Sequence, residues 1–413
     1  MLAGVVLAAT VGALAAATAA QGATAPGGPV WSQVKVGASP TWGVSTALAY
    51  DSATHQALMF GGEPVVGQLG DFATDETRLW SAATSSWQLL SPAVRPSARE
   101  SASLAFDTAT SQMVLFGGYD PGNGVELQDT WLWDGHTWTA ASTTSQPPAA
   151  STLVFDPATS QLLAFGAGVP WRWTGTEWVQ LSAPALPGQL LAAAFAPATR
   201  QLVAVVRSGT SLQTWVWTGA SWLQLLPATA LPTDSSGSMS MVLDQGLNQL
   251  VLVTDVLPSG TVQTLLWNGT DWQQVPPPAP SPAMQVHLVF NGAQGQLLLF
   301  EVLSGDVGPP NLTWVLNVPT TTTVSASPGS PTLGAAVTLS ATVGAGRLLA
   351  AVGKVEFADN GTPIPGCLAR GMSKGIATCL TALAPAGRHT LTATYLGAAG
   401  YQPSTASLQV SVH

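Results

Sequence analysis

Charge is what this chain lacks most. Asp, Glu, Lys and Arg make up only 8% of its 413 residues, against about a quarter in ordinary soluble domains. Twelve Lys and Arg side chains cannot build the basic stripe that neutralises phosphates, so nucleic acid is excluded as a partner. With 46% apolar residues and a net charge of −9, charge-driven disorder is excluded as well. Cysteine is nearly absent. Cys367 and Cys379 are the two present, so no thiol chemistry is available in the first 366 residues. No nucleophile elbow, phosphate loop or paired-His metal motif occurs either. Tyrosine is scarce at 4 residues while tryptophan reaches 16, and every Trp lies between Trp31 and Trp314.

That confinement marks two parts. Residues 27–316 carry 19 acidic and 7 basic side chains, and residues 317–413 carry 2 and 5. In front of both, residues 1–20 form an unbroken small and apolar run ending in Ala17-Thr18-Ala19, a small-residue cleavage pattern. It reads as a signal peptide followed by a linker over 21–29, although no Lys or Arg precedes the apolar run. Export is therefore expected, to the cell surface or beyond, with no membrane span in the mature chain. An even cysteine count in an exported chain predicts a Cys367–Cys379 disulfide.

The first part is a repeat. Leu48-Ala-Tyr-Asp51, Leu104-Ala-Phe-Asp107, Leu153-Val-Phe-Asp156, Ala194-Phe-Ala196, Val242-Leu-Asp244 and Leu288-Val-Phe-Asn291 share one register. Gln follows five residues after each anchor, at 56, 112, 161, 201, 249 and 296. Five units then carry a Trp pair across a turn, Trp133/Trp138, Trp173/Trp178, Trp217/Trp222 and Trp267/Trp272, with a stretched version at Trp80/Trp87. Four short strands per unit at a period of 40 to 56 residues predict propeller blades, because one four-stranded sheet cannot bury both faces alone. The last unit stops after its third strand, Thr313-Trp-Val-Leu316, and Val30-Trp31-Ser-Gln-Val has the form of an orphan fourth strand. Joining them closes a six-bladed ring over residues 30–317 and removes its open edges. On this register fifteen of the sixteen Trp are inter-blade core and Trp42 alone sits off it.

Phe60-Gly61-Gly62 and Phe116-Gly117-Gly118, with Trp133, Trp138 and Pro96-Ser-Ala-Arg99, resemble kelch repeats. The third unit keeps Phe165-Gly166-Ala167, and the last three lack the Gly pair. Beyond a Thr-rich linker at 318–323, period-two alternation at Val337, Leu339, Ala341, Val343 and at Leu408, Val410, Val412 predicts an antiparallel sandwich over 324–413. Gly353-Lys-Val-Glu-Phe357, Ala386–Tyr395 and Leu408–Val412 are similar to bacterial Ig-like repeat domains, a family that the resemblance casts as a spacer or adhesion module. The expected fold is thus all-β: a six-bladed propeller closed by an N-terminal strand, then an Ig-like sandwich.

A kelch propeller followed by an Ig-like domain is the layout of the galactose oxidase family, whose copper needs two Tyr, two His and a Tyr-linked Cys. The propeller offers Tyr50, Tyr119, His55, His136 and His287 and no Cys. Neither an enzyme nor a resident cofactor is expected, and the favoured reading is binding or adhesion. A secreted oxidase or carbohydrate-active enzyme and a purely structural envelope protein are the alternatives. The variable loops between second and third strands, and between blades, share one face. Those of the first two blades, Glu63 to Glu76 and Tyr119 to Asp129, are the longest. Trp42, Asp71, Asp75, Arg99, Asp120 and Glu126 are the candidate ligand contacts there, with Ca²⁺ the one ion those carboxylates could take. The expected partner is a glycan or a protein, met by a monomer.

Overall fold

The computed structural model describes residues 28–34, 44–63, 73–81, 84–232, 238–256, 261–275, 283–292, 294–303, 311–345, 351–398 and 400–413. The expected leader at 1–20, most of the linker at 21–29, and the candidates Trp42 and Asp71 lie outside the described residues. Contacts divide the chain at Val318/Pro319 into two compact units, a propeller and a sandwich.

Six four-stranded antiparallel sheets make up the first unit, five of them with their strands paired in chain order from the inside out. Blade 1 runs Ala47–Asp51, Gln56–Phe60, Thr77–Ser81, Ser86–Leu90, and blade 2 Ser103–Asp107, Gln112–Asp120, Val125–Trp133, Trp138–Ala141. Blades 3 to 5 follow with innermost strands Thr152–Asp156, Gln189–Ala196 and Met239–Asp244. Blade 6 takes Ala283–Asn291, Gln296–Leu303 and Asn311–Asn317, and its fourth strand is Val30–Val34. Trp31 lies opposite Leu316 and Gln33 opposite Trp314, so the ring closes across the ends of the repeat.

The turn between first and second strands explains the repeated sequence. Asp51 accepts hydrogen bonds from the Ala53 and Thr54 backbone N–H groups at 2.8 and 3.1 Å. Asp107 accepts from Ala109 N and Thr110 Oγ1, and Asp156 from Ala158 N and Thr159 Oγ1. The residue before each repeated Gln is left-handed: His55, Ser111, Ser160, Arg200, Asn248 and Gly295 all have φ between 54° and 63°. A side-chain cap and one left-handed residue close the turn, and Gln re-enters the sheet opposite the Asp position.

Between blades the core is aromatic. Phe60 meets Trp138 edge-on with centroids 5.4 Å apart, Phe116 meets Trp178 at 5.6 Å, and Phe165 meets Trp222 at 4.9 Å. Each contact joins the second strand of one blade to the fourth strand of the next. A second device was not anticipated. Trp138 Nε1 donates to Thr77, Trp178 to Thr130, Trp272 to Thr214 and Trp31 to Thr264, every time at 2.9 Å and every time to the preceding blade's third strand. The threonine stands three residues before the third-strand Trp or its equivalent, a pattern visible in the sequence but meaningless until neighbouring blades are known. Blade 3 has Pro170 at that position, and Trp222 Nε1 is buried without an acceptor.

In the second unit, Thr320–Ser327, Ala336–Ala345 and Ile376–Ala382 form one sheet. Lys354–Asp359, Gly387–Tyr395 and Ser404–Val412, with the short pieces Thr362–Pro363 and Arg370–Gly371, form the other. The alternating residues read from the sequence point inward: Val337, Leu339, Ala341 and Val343 are buried, as are Leu408, Val410 and Val412. Cys367 and Cys379 are bridged, with Cα atoms 5.8 Å apart. The expected linker at 318–323 needs correction. Its threonines already belong to the first strand, and Thr320 and Thr322 are buried on Ser404, their hydroxyls 2.6 and 2.7 Å from its Oγ.

Candidate functional site

In an up-and-down blade the 1–2 and 3–4 turns share one end, and the 2–3 connections and inter-blade crossings share the other. At the turn end, side chains cap their own turns. Asp134 accepts from the His136 and Thr137 N–H groups, Asn268 from Thr270 and Asp271, and Thr174 and Thr218 close equivalent turns. Those backbone bonds hold the Asp134 carboxyl below its usual pKa.

The opposite end of blades 1 and 2 is built differently from expectation. The segment from Tyr119 to Asp129 is not an open loop. After a bulge at Phe116/Gly118 the two strands continue as a hairpin, Gly118 opposite Leu127, Tyr119 opposite Glu126 and Asp120 opposite Val125. Val125 and Glu126 are exposed there, and Tyr119 is 37% exposed. Asp120 caps the hairpin turn, accepting from the Asn123 side chain at 2.8 Å and its backbone N–H at 3.1 Å. The Asn123 side chain is the main cause that keeps the Asp120 pKa low. Asp75 pairs with Arg95 at 2.6 Å, both half exposed.

Arg99 is placed elsewhere than on this surface. It is 1% exposed, and its guanidinium holds both Asp129 carboxylate oxygens, the Gly117 carbonyl at 3.0 Å, and Ser97 through backbone O and Oγ. Its donors are spent within the fold, so the expected ligand contact at Arg99 is corrected to a structural tie between the blade 2 lead-in and its second and third strands. Partial burial opposes ionisation of Asp129, but hydrogen bonds from Arg99 and Trp131 and the Arg99 charge outweigh it and lower its pKa. The glycine pair of the kelch-like motif belongs to the same crossing. Gly61 has φ 69° and Gly117 φ 66°, and a Cβ on either would lie 2.4 or 2.5 Å from the Arg99 or Ala149 carbonyl of the next lead-in.

At the centre the six innermost strands enclose an axial channel with a volume of about 690 Å³. Its lead-in end carries Ser45, Ser101, Ser103, Ser240, Gln285 and His287, and toward the turns it is ringed by Tyr50, Phe106, Phe155, Phe195 and Phe290, with Leu243 as sixth member. No charged side chain lines it among the described residues. Burial pushes the His287 imidazole down to about 4, so it is neutral near pH 7.

The copper implied by the galactose oxidase layout finds no matching ligand set. Tyr50 Oη lies 3.3 Å from His55 Nδ1 at the turn end, Tyr119 is on the hairpin at the other end, and His287 is in the channel wall. No three His, Cys, Asp or Glu side chains converge on a metal position among the described residues.

Residues 323–413 match the bacterial Ig-like domain (group 3) family. The sandwich is a bacterial Ig-like domain. No curated protein matches the chain. Among solved structures it is similar to a fungal alcohol oxidase described in complex with copper, at 12% identity and TM-score 0.46, over 95% of this chain and 99% of that one. A protein described as YjhT (12% identity, TM-score 0.44) matches over 70% of this chain and 96% of its own. A glucose dehydrogenase (14%, TM-score 0.44) matches over 70% and 100%. The expectation that the chain is no enzyme is withdrawn: two of these neighbours are described as an alcohol oxidase and a glucose dehydrogenase, and their likeness assigns no activity to this chain. The Ig-like domain and the disulfide are consistent with an extracellular location. Among the described residues no helix is long and apolar enough to cross a membrane.

Proposed function

We propose that this is an exported protein with a kelch-type propeller that binds a glycan or a protein partner on its lead-in face, the Ig-like domain serving as spacer. The observation that carries the reading is the contrast between the two ends of the blades. At the turn end Asp134 and Asn268 cap their own turns and Glu177 and Asp271 hold the crossing from the preceding blade, whereas blades 1 and 2 present Glu126, the Asp75–Arg95 pair and exposed Tyr119 and Val125 at the other. Carboxylates beside an aromatic face suit hydroxyl-rich or peptide ligands, and Asp120 adds a carboxylate held ionised by its own turn. Trp42 and Asp71 belong to the same sector by sequence.

Glycan-array and pull-down binding by the full mature chain tests this. Asp75→Ala with Glu126→Ala, and separately Trp42→Ala with Asp71→Ala, are expected to lower affinity for the captured ligand at least tenfold with Tm nearly unchanged. Normal binding by both double variants, with loss through changes in blades 4 to 6, would place the ligand elsewhere.

A further inference from the structure

The axial channel is lined by other residues than the blade 1 and 2 surface. Its wall is tied together where it is polar. Ser101 N donates to Ser45 O at 2.7 Å, Ser103 Oγ accepts from Leu153 N at 2.8 Å, Ser240 Oγ accepts from Leu288 N at 2.9 Å, and Gln285 Oε1 accepts from Ser45 N. Adjacent inner strands are thereby fastened blade to blade, and the cavity exists before any ligand arrives. Ser103 and Ser240 use their oxygens as acceptors, and among the described residues neither hydroxyl donates to a protein acceptor. His287 Nε2 is buried without a partner. A buried polar group without a partner costs about 1–3 kcal/mol, so His287 Nε2, held on the wall of this cavity beside the part-exposed Ser103 and Ser240 hydroxyls, is available to a ligand.

The rest of the lining decides what that is. A charged ligand would give up its hydration and find no counter-charge on the wall. The aromatic ring of Tyr50, Phe106, Phe155, Phe195 and Phe290 offers instead an apolar surface with ring edges for a flat or cyclic body. A volume of about 690 Å³ is that of a site for one small molecule.

We propose that the propeller axis binds an uncharged amphiphile, a ring-bearing apolar body with a carbonyl or hydroxyl oxygen. The body lies against the aromatic ring and the oxygen points to the end that carries Ser103, Ser240 and His287.

Benzophenone has this form, being two rings and one carbonyl, and it crosslinks on irradiation; 4-benzoylbenzoate is the same molecule with a carboxylate. The full chain is irradiated with each and the adducts are mapped by peptide mass spectrometry. The expected result is one benzophenone per chain on inner-strand peptides 45–52, 101–108, 150–157, 191–196, 239–245 or 285–290, with at least tenfold less labelling by the carboxylate. Ala193→Phe, which adds a ring to the channel wall, is expected to reduce inner-strand labelling at least tenfold. Should that variant fail to fold, the map on the unaltered chain decides alone. Labelling spread over exposed apolar residues such as Leu226 (88% exposed) or Leu380 (71%) overturns the proposal, as does equal labelling by both compounds. The face reading is scored on a different ligand and different variants, so either proposal can fail without the other.

Discussion

At residue scale the propeller depends on a few groups whose partners are distant in sequence. Arg99 is wholly buried while water reaches the far side of Asp129, whose side chain is 42% exposed. Asp129→Ala should therefore cost about 2–3 kcal/mol, below the ~3–5 typical when one partner of a fully buried pair is removed. The Asp129 pKa is depressed, so its contribution is present above 3.8 and is lost as pH falls through the lower folded value. Thermal melts of the variant and the unaltered chain should differ at pH 7 and converge in strong acid. In the Ig-like domain the sign reverses. His389 is 2% exposed, with Nε2 2.7 Å from the Pro385 carbonyl and Nδ1 2.7 Å from Asp359. The Pro385 bond, then the Asp359 carboxylate, raise its pKa above 6.5. That stabilisation is complete below 6.5 and is lost as pH rises through the folded value. Unfolding of this domain in the full chain should become easier from pH 6.5 to 9, and His389→Gln should flatten the dependence.

At the scale of elements, the blade is a sheet whose third and fourth strands serve its neighbours. The Trp-to-Thr bond recurs at four blade junctions and fails where Pro170 replaces the threonine. Thr130→Val keeps the shape and strands the Trp178 N–H, an expected loss of about 1–3 kcal/mol. Pro170→Thr supplies the missing acceptor for Trp222 and should gain about 1 kcal/mol, read as a higher Tm. The threonine was legible as a position but not as a partner, because its tryptophan lies 48 to 61 residues further on within the repeat, and 233 away where Trp31 closes the ring. The aromatic core was legible, since apolar periodicity reports burial without naming neighbours.

At the scale of the whole molecule, closure is the decisive event. Val30–Val34 pairs with Asn311–Asn317 along its length, buries Trp31 and bonds it to Thr264 of blade 5. Deleting residues 30–34 removes one buried Trp, worth about 3 kcal/mol, and its hydrogen bond, worth about 1. It also exposes a sheet edge. The expected outcome is a lower-melting propeller with increased self-association in light scattering, while the Ig-like domain keeps its own transition.

The sequence by itself determined the six repeats, their capped turns, the tryptophan core, the closing strand and the alternating sandwich. Each rests on local periodicity or on a side chain bonding its own turn, which survives as a pattern in one dimension. Only the tertiary structure decided that Arg99 is an internal tie, because the lead-in to blade 2 crosses over two glycines and carries the guanidinium inward. Only it turned the Tyr119–Asp129 segment into a hairpin, where a bulge after Phe116 resets the register. The axial channel was illegible for the same reason. Its wall takes a few residues from each of six strands spread from Ser45 to Phe290, and the closed ring alone brings Ser103, Ser240 and His287 onto one cavity.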